Sequence, residues 1–423
     1  MIYLYVDNFR GFTDSLIPIK DVNFFVGENS TGKTSLLSLI KLFSSNSFWL
    51  KQEFNSDEVQ LGNFDDIVSA FSEKKDYFRI GIINEDVDDI HQAVLFEFKE
   101  NNGLPALFHF QIRFKNLYMA FVVKGNKNYL KFNKIKEKNP ASLLSIFRSQ
   151  LKTFSGNIQD MKEIEEKSSS RNLKNTLLSL FIGEKDMELP PFIFYSSPFG
   201  NEVAWLAPIR TKPRRTYDDY RYDFTPEGEH TPYLIKKFFN TNDDKKFKNA
   251  LEKFGKESGL FDTIEINEFS KSAVSPFELR IVLNKHALPI NSVGYGVSQA
   301  LPVVVEMISQ PKNAWIAIQQ PEVHLHPKAQ ASLGELLYYI AKEEKKSFLI
   351  ETHSDFTIDR FRVNLNKDKS KNKPSSQILF FTRTDTGNHV YPIKIEDNGE
   401  FSQEQPPEFR NFFINEELDI LGI

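Results

Sequence analysis

The octet Gly27-Glu28-Asn29-Ser30-Thr31-Gly32-Lys33-Thr34 lies between the apolar run Val22 to Val26 and the helical string Ser35-Leu36-Leu37-Ser38-Leu39-Ile40. It constrains this chain more than any other stretch, because it spells strand, glycine loop, helix. The glycines let successive backbone N–H groups turn inward around a phosphate chain, and the N-terminus of the following helix adds partial positive charge there. Residues Gly27 to Ser35 are therefore the expected cradle of a nucleoside triphosphate such as ATP. Lys33 is expected to bridge the β and γ oxygens and Thr34 to ligate Mg²⁺.

Size leaves the architecture open, since 423 residues can form one large domain or two to three ordinary ones. The sequence has no cysteine, no apolar run long enough to span a bilayer and no cleavable leader pattern, because Ile2 to Val6 already reads as a strand. A cytoplasmic protein without membrane contact is the expectation. The formal net charge of -4 carries no global basic signature, so any nucleic-acid contact must come from a local patch.

From Asp76 to Phe132 short alternating segments are punctuated by Asn-Asn-Gly and Gly-Asn turns, which predicts an antiparallel meander. From about Lys136 to Gly183 the pattern turns helical and highly charged, with Met161 to Lys167 a solvated run and no sustained heptads, which argues against long coiled-coil arms. Past Ala300 a helical register leads to a strand at Ala314 to Ile318, a helix at Ala329 to Ala341 and a strand at Ser347 to Ile350, the alternation of a parallel sheet. Asn364 to Ser376 reads as a loop before strands at Ile378 to Phe381 and Val390 to Ile395.

Three further motifs narrow the class. Ser292-Val293-Gly294-Tyr295-Gly296-Val297-Ser298-Gln299 places two glycines and a small serine ahead of a helix, where exposed amides can grip a γ-phosphate. Pro302 is expected in that helix's first turn, where its missing N–H costs nothing. Gln319-Gln320-Pro321-Glu322-Val323-His324-Leu325-His326-Pro327 follows the apolar lead Ala314 to Ile318, and Glu351-Thr352-His353-Ser354-Asp355 follows the next strand. With Asn8-Phe9-Arg10-Gly11 near the N-terminus, these motifs resemble the AAA/ABC-like ATPases of the RecF, SMC and OLD (overcoming lysogenization defect) superfamily. The resemblance implies an α/β fold. It comprises an ABC-type P-loop core with a mixed, largely parallel sheet flanked by helices, an antiparallel β meander and a mainly helical insertion. The implied division is an N-terminal ATPase lobe at 1–135, the insertion at 136–285 and a C-terminal ATPase lobe at 286–423.

In that superfamily two protomers sandwich ATP, so the resemblance implies a homodimer or higher even oligomer in which the phosphate loop, with Arg10, faces Gly296, Val297, Ser298 and Gln299 of the other copy. The Pro-Glu-x-His-Leu-His-Pro spelling, with Trp205 to Arg210 and Glu227-Gly228-Glu229, looks closest to ATPase subunits of prokaryotic anti-phage defence systems. Such subunits act with an effector, most often a nuclease. Here the stretch after His353 supplies strands where OLD proteins carry an acidic nuclease domain.

The chain departs from the family pattern at two points. Gln319 stands where a carboxylate commonly holds Mg²⁺ through water, and Gln320 where a glutamate activates the attacking water. An amide accepts no proton at neutral pH, and losing a positioned base costs on the order of 10² to 10⁴ in rate, so slow hydrolysis is expected. Glu322, two residues on, is either a substitute base or a cap of the following turn. His353 resembles the switch histidine that senses the γ-phosphate, and Gln60 the glutamine that couples Mg²⁺ to the inserted region. Histidines 324 and 326 suit a turn better than a closed zinc site. Arg210, Lys212, Arg214, Arg215 and Arg221, interleaved with Tyr217, Tyr220 and Tyr222, are the one place where cations and rings alternate as nucleic acid would require, diluted by three aspartates. The readings that remain are a defence ATPase controlling an effector, a RecF-like DNA-repair ATPase, a non-hydrolysing scaffold, and a metal hydrolase on His324, His326 and His353.

Overall fold

The computed structural model describes residues 1–85, 91–114, 117–124, 127–134, 161–164, 199–218, 223–240, 245–270 and 275–409. The chain divides into two compact units, one of Met1–Lys20, Glu28–Glu202 and Phe381–Pro392, the other of Asp21–Gly27, Val203–Phe380 and Ile393–Ile423.

The first unit is built on an eight-stranded antiparallel sheet: β1 (Ile2–Asp7), β2 (Ser15–Ile19), β4 (Tyr77–Glu85), β5 (His91–Asn101), β6 (Leu104–Phe114), β7 (Leu117–Lys124), β8 (Lys127–Lys134) and β9 (Lys162–Ile164), ordered β2-β1-β4-β5-β6-β7-β8-β9. The meander expected from 76 to 132 is β4 to β8, each strand paired antiparallel with its sequence neighbour. Lys162–Ile164, expected within a helical and solvated stretch, instead pairs antiparallel with β8 as an edge strand. Edge position explains the misreading: a charged strand is tolerated where only one side is paired. The remainder of 136–183 lies outside the described residues.

Against this sheet pack α1 (Lys33–Ser44), α2 (Asn46–Lys51) and α3 (Phe64–Ile67), and the contacts are largely phenylalanine on phenylalanine. Phe78 and Phe98 stack at 5.2 Å, Phe54 meets Phe98 edge-on at 4.9 Å, and Phe48 meets Phe96 edge-on at 5.7 Å. Edge-to-face pairs are worth about 0.5–1.5 kcal/mol beyond area burial. Many of the described phenylalanines, silent about chemistry in the sequence, are thus core material.

The second unit carries the parallel sheet. β3 (Val22–Gly27), β10 (Ala204–Leu206), β14 (Trp315–Gln319) and β15 (Ser347–Glu351) lie in the order β10-β14-β15-β3, all parallel. The sheet order continues after β3 with β16 (Ser376–Thr384) and β17 (Gly387–Ile395), of which Ser376–Phe380 and Ile393–Ile395 belong to this unit. β3 and β15 are buried at every residue, as strands covered on both faces must be. A three-stranded antiparallel sheet of β11 (Thr263–Glu268), β12 (Phe277–Leu283) and β13 (His286–Pro289) completes the strands. Helices α4 (Thr231–Asn240), α5 (Lys245–Ser258), α6 (Tyr295–Ser309), α7 (Pro327–Glu344) and α8 (Asp355–Lys367) bury their apolar stripes in one continuous core with these strands. Among the described residues no helix is long and apolar enough to cross a membrane.

One buried titratable group in the first unit sets a pH limit. His109 on β6 is 4 % exposed, and burial, helped by the Arg79 charge, pushes its pKa down to about 3. Between pH 3 and 6.5 the unfolded chain therefore binds a proton that the folded chain refuses. Stability present above pH 6.5 is lost as pH falls through that window, by about 1.4 kcal/mol for each step of one in pH. Thermal melts of His109→Gln against the unaltered protein from pH 7 to pH 4 are expected to show a flatter acid limb for the variant.

Candidate functional site

β3 delivers the chain to Gly27, and the loop that follows is shaped by left-handed backbone at Ser30 (φ 62°) and Gly32 (φ 97°). At Gly32 the constraint is double: an added Cβ would lie 2.4 Å from the Phe12 ring, in a region of φ that L side chains rarely adopt. Gly32 then caps α1, so the loop ends at a helix N-terminus without an acidic residue in its first turn. The Lys33 ammonium, 4 % exposed, donates to the Glu28 carbonyl at 2.7 Å, and the Thr31 hydroxyl donates to the same oxygen at 2.8 Å. Glu28, Asn29, Ser30 and Thr34 are exposed and Ser35 is half-buried, so the loop's outer rim faces solvent. The expected phosphate cradle is thus a loop closed on itself through Lys33.

Beside it in the same unit, Arg10 sits in left-handed backbone and its guanidinium donates to the Leu61 carbonyl. Burial lowers its pKa, against the pull of Asp66. Gln60 is exposed, with its amide donating to the Ser56 carbonyl at 2.6 Å across a short turn. Arg10 and the segment after Gln60 are thus tied together by the chain's own hydrogen bonds.

The second unit assembles the other motifs. Parallel register sets Gln319 opposite Glu351, and Glu351 opposite Phe25 of β3. The Gln319 amide nitrogen donates to Glu351 Oε2 at 2.7 Å, and its oxygen accepts from the Trp205 indole at 2.9 Å. Past the strand end the chain makes a tight turn with left-handed backbone at Gln320 (φ 45°) and His324 (φ 66°). Strain of this kind costs about 1–3 kcal/mol per residue and persists where surrounding contacts over-determine it. Here the Gln320 N–H donates to the Glu351 carbonyl at 2.7 Å, and Glu322 Oε1 accepts the His353 N–H at 2.7 Å. Glu322 Oε2 is buried without a partner among the described residues. His353 is exposed at the end of β15. The histidines of the turn are engaged locally: His326 Nδ1 caps α7 by accepting the Ala329 N–H at 3.3 Å, and the His324 ring meets Tyr295 edge-on at 4.9 Å.

That ring contact joins the turn to the glycine motif. Gly296 has no room for a side chain, since a Cβ there would stand 2.7 Å from the His324 carbonyl oxygen. The helix begins earlier than the sequence suggested. Tyr295 is its first residue, so Gly296, Val297, Ser298 and Gln299 lie in its first turns, and the Ser298 hydroxyl donates to the Tyr295 carbonyl at 2.8 Å. Pro302 is correspondingly inside α6 and not in its first turn. There it denies an N–H to the Ser298 carbonyl, a normally unfavourable arrangement.

Arg210 corrects the expected nucleic-acid face. It is 3 % exposed and turned inward, donating to the carbonyls of Gln319 at 2.8 Å and Gln320 at 3.4 Å. Desolvation lowers its pKa to about 10, with the Glu322 carboxylate pulling the other way. Tyr217 is likewise unavailable for stacking on bases, being 6 % exposed and packed on Tyr233 and Phe277. Lys212, Arg214 and Arg215 remain at least partly exposed, and Arg215 reaches Glu278 at 4.0 Å. Arg221, Tyr220 and Tyr222 lie outside the described residues. A charge in a sequence carries no mark of burial; the signal that pointed inward was the apolar lead-in Ala204 to Leu206.

A family model described as AAA ATPase domain matches residues 1–190 and 212–358, well over half of the chain. No curated protein matches. Among solved structures, the SMC head domain from Thermotoga maritima is 13% identical, with 92% of this chain and 97% of that chain covered and a TM-score of 0.39. The Smc head domain with an extended coiled coil from Pyrococcus furiosus, bound to the C-terminal domain of ScpA, is 11% identical, with 99% and 100% covered and a TM-score of 0.42. The recombination mediator protein RecF is 13% identical, with 92% and 97% covered and a TM-score of 0.33.

The geometry of the cradle predicts the effect of filling it. Gly32→Ala is expected to weaken binding of a fluorescent ATP analogue at least tenfold and to lower stability by about 1–3 kcal/mol, through the collision with Phe12. Lys33→Ala is expected to abolish binding with little change in the melting temperature. Fluorescence titration and thermal melts of both variants check this.

Proposed function

The chain belongs to the AAA ATPase domain family, and on that premise we propose that two copies close around ATP and open again after slow hydrolysis, so that the nucleotide state controls an associated effector, a nuclease, in defence against phage. Nucleotide binding follows from the family, and the observation that carries the rest is the amide pair at the end of β14. Gln319 commits both ends of its side chain to Trp205 and Glu351, and Gln320 offers no proton acceptor. A site that grips phosphate but carries an amide at the usual position of the base stays closed long after ATP has bound, which suits a switch better than a motor.

In this reading Lys33 and the loop from Gly27 to Ser35 bind the phosphates, Arg10 stabilises the loop's neighbourhood, and Glu322 receives the proton of the attacking water in place of Gln320. His353 reports on the γ-phosphate. The Gly296 to Gln299 turn of one copy closes on the phosphate loop of the other. Thr34, with Gln60 and Gln319, belongs to the surroundings of Mg²⁺, and the hydroxyl of Thr34 suits a hard cation that prefers oxygen ligands. When bound, Mg²⁺ would neutralise phosphate charge.

Among the described residues the RecF-like reading draws on Lys212, Arg214 and Arg215, since Arg210 is buried. A cluster of three cations supports a salt slope of at most about -2.7 in log affinity for duplex DNA. A steeper slope, abolished by substituting the three, would favour DNA clamping over effector control.

Light scattering tests the sandwich. The mass is expected to double from 49.0 kDa with a nonhydrolysable ATP analogue. Gly294→Arg, at a position where an added Cβ meets nothing within 4 Å, is expected to bind the analogue and stay single. An unchanged mass in the unaltered protein overturns the sandwich. Phosphate release is expected to be slow but above a Lys33→Ala control, and Gln320→Glu to raise it by up to about 10².

A further inference from the structure

We infer that Glu351 supplies the carboxylate that orients the water shell of the nucleotide's Mg²⁺, a duty that Gln319 cannot perform. The inference rests on the ATP-binding reading and deepens it.

Position comes first. In open parallel sheets ligands gather at the carboxyl ends of the strands. Glu351 ends β15, the strand directly beside β3, and is in register with Phe25 two residues before Gly27 opens the phosphate loop. The Thr352 N–H donates to the Phe25 carbonyl at 3.2 Å, which fixes the strand end against β3. Gln319 ends the next strand out, one strand further from β3.

Chemistry agrees with position. Mg²⁺ selects anionic and hard oxygen donors and keeps several waters, which carboxylates orient well. The oxygen of the Gln319 side chain already accepts from the Trp205 indole, so what Gln319 offers toward β15 is an N–H donor. That donor grips Glu351 Oε2 at 2.7 Å and holds the carboxylate in one orientation. Its backbone is pinned too, because the Glu351 carbonyl accepts the Gln320 N–H. Were residue 319 a carboxylate, two anions would stand within hydrogen-bond distance and could not both remain charged. An amide at 319 and a carboxylate at 351 is the arrangement that keeps a single, oriented negative charge, with Glu351 8 % exposed at the strand end.

The test reads metal and nucleotide separately. Affinity for a fluorescent ATP analogue is measured in EDTA and then across a Mg²⁺ titration, for the unaltered protein and for Glu351→Gln, which preserves shape. Affinity in EDTA is expected to be the same, while the Mg²⁺ midpoint rises about 10- to 100-fold in the variant, the cost of losing a partner that orients a metal's ligands. An unchanged midpoint overturns the inference. If Glu351→Gln fails to bind even in EDTA, Glu351→Asp replaces it: a raised midpoint supports the assignment and an unchanged one overturns it. Failure of the unaltered protein to bind the analogue at all would instead sink the ATP-binding reading beneath it.

Discussion

The parallel pairing of β3, β15 and β14 is the constraint on which the second unit depends. Because parallel ladders fix one residue opposite one residue, Phe25, Glu351 and Gln319 must form a row at the carboxyl edge of the sheet. A slip of one residue would turn every side chain to the opposite face, and these strands are too deeply buried to tolerate that. The row decides which chemistry meets at the edge: an apolar residue leading to the phosphate loop, a carboxylate, and an amide. Arg210 and Trp205 then brace its far end through the carbonyls of Gln319 and Gln320 and the amide of Gln319. Burying an arginine there costs desolvation, offset by two carbonyl acceptors and the charge of Glu322. That cost is consistent with a strand end that must be held still.

What could be read from the sequence was what is written locally. The phosphate loop declares itself because glycine spacing, strand and helix are contiguous, and the meander because hairpin turns lie beside the strands they join. The turn after Gln319 was legible as a motif for the same reason. Three failures share one cause, that the deciding partner is distant in sequence. Arg210 reads as a surface cation until β10 carries it beside β14. Lys162–Ile164 reads as solvated until β8 offers an edge. Glu351 reads as an ordinary residue at the end of a strand, and only register with Gln319 gives it a role to play. Pro302 differs: the motif reads as a loop through Ser298 ahead of the helix, whereas Gly294 serves as N-cap without any side-chain acceptor, so the helix starts before the motif ends.

The turn from Gln320 to His324 connects the separate parts of the second unit's edge. It touches β15 through Glu322 and the His353 N–H, the glycine motif through His324 and Gly296, and α7 through the His326 cap. Two of its residues are in left-handed backbone, so it has few alternative shapes at low cost. A change that draws Glu322 away from His353 must therefore be absorbed by the neighbouring contacts and not by the turn itself. The nearest of these is the approach of Gly296 to the His324 carbonyl, where no slack exists for even a methyl group. Packing that tight transmits displacement instead of damping it. Glu322 and the first turn of α6 are thus coupled through one strained loop, and such coupling is what the proposed nucleotide-controlled switch requires of its structure.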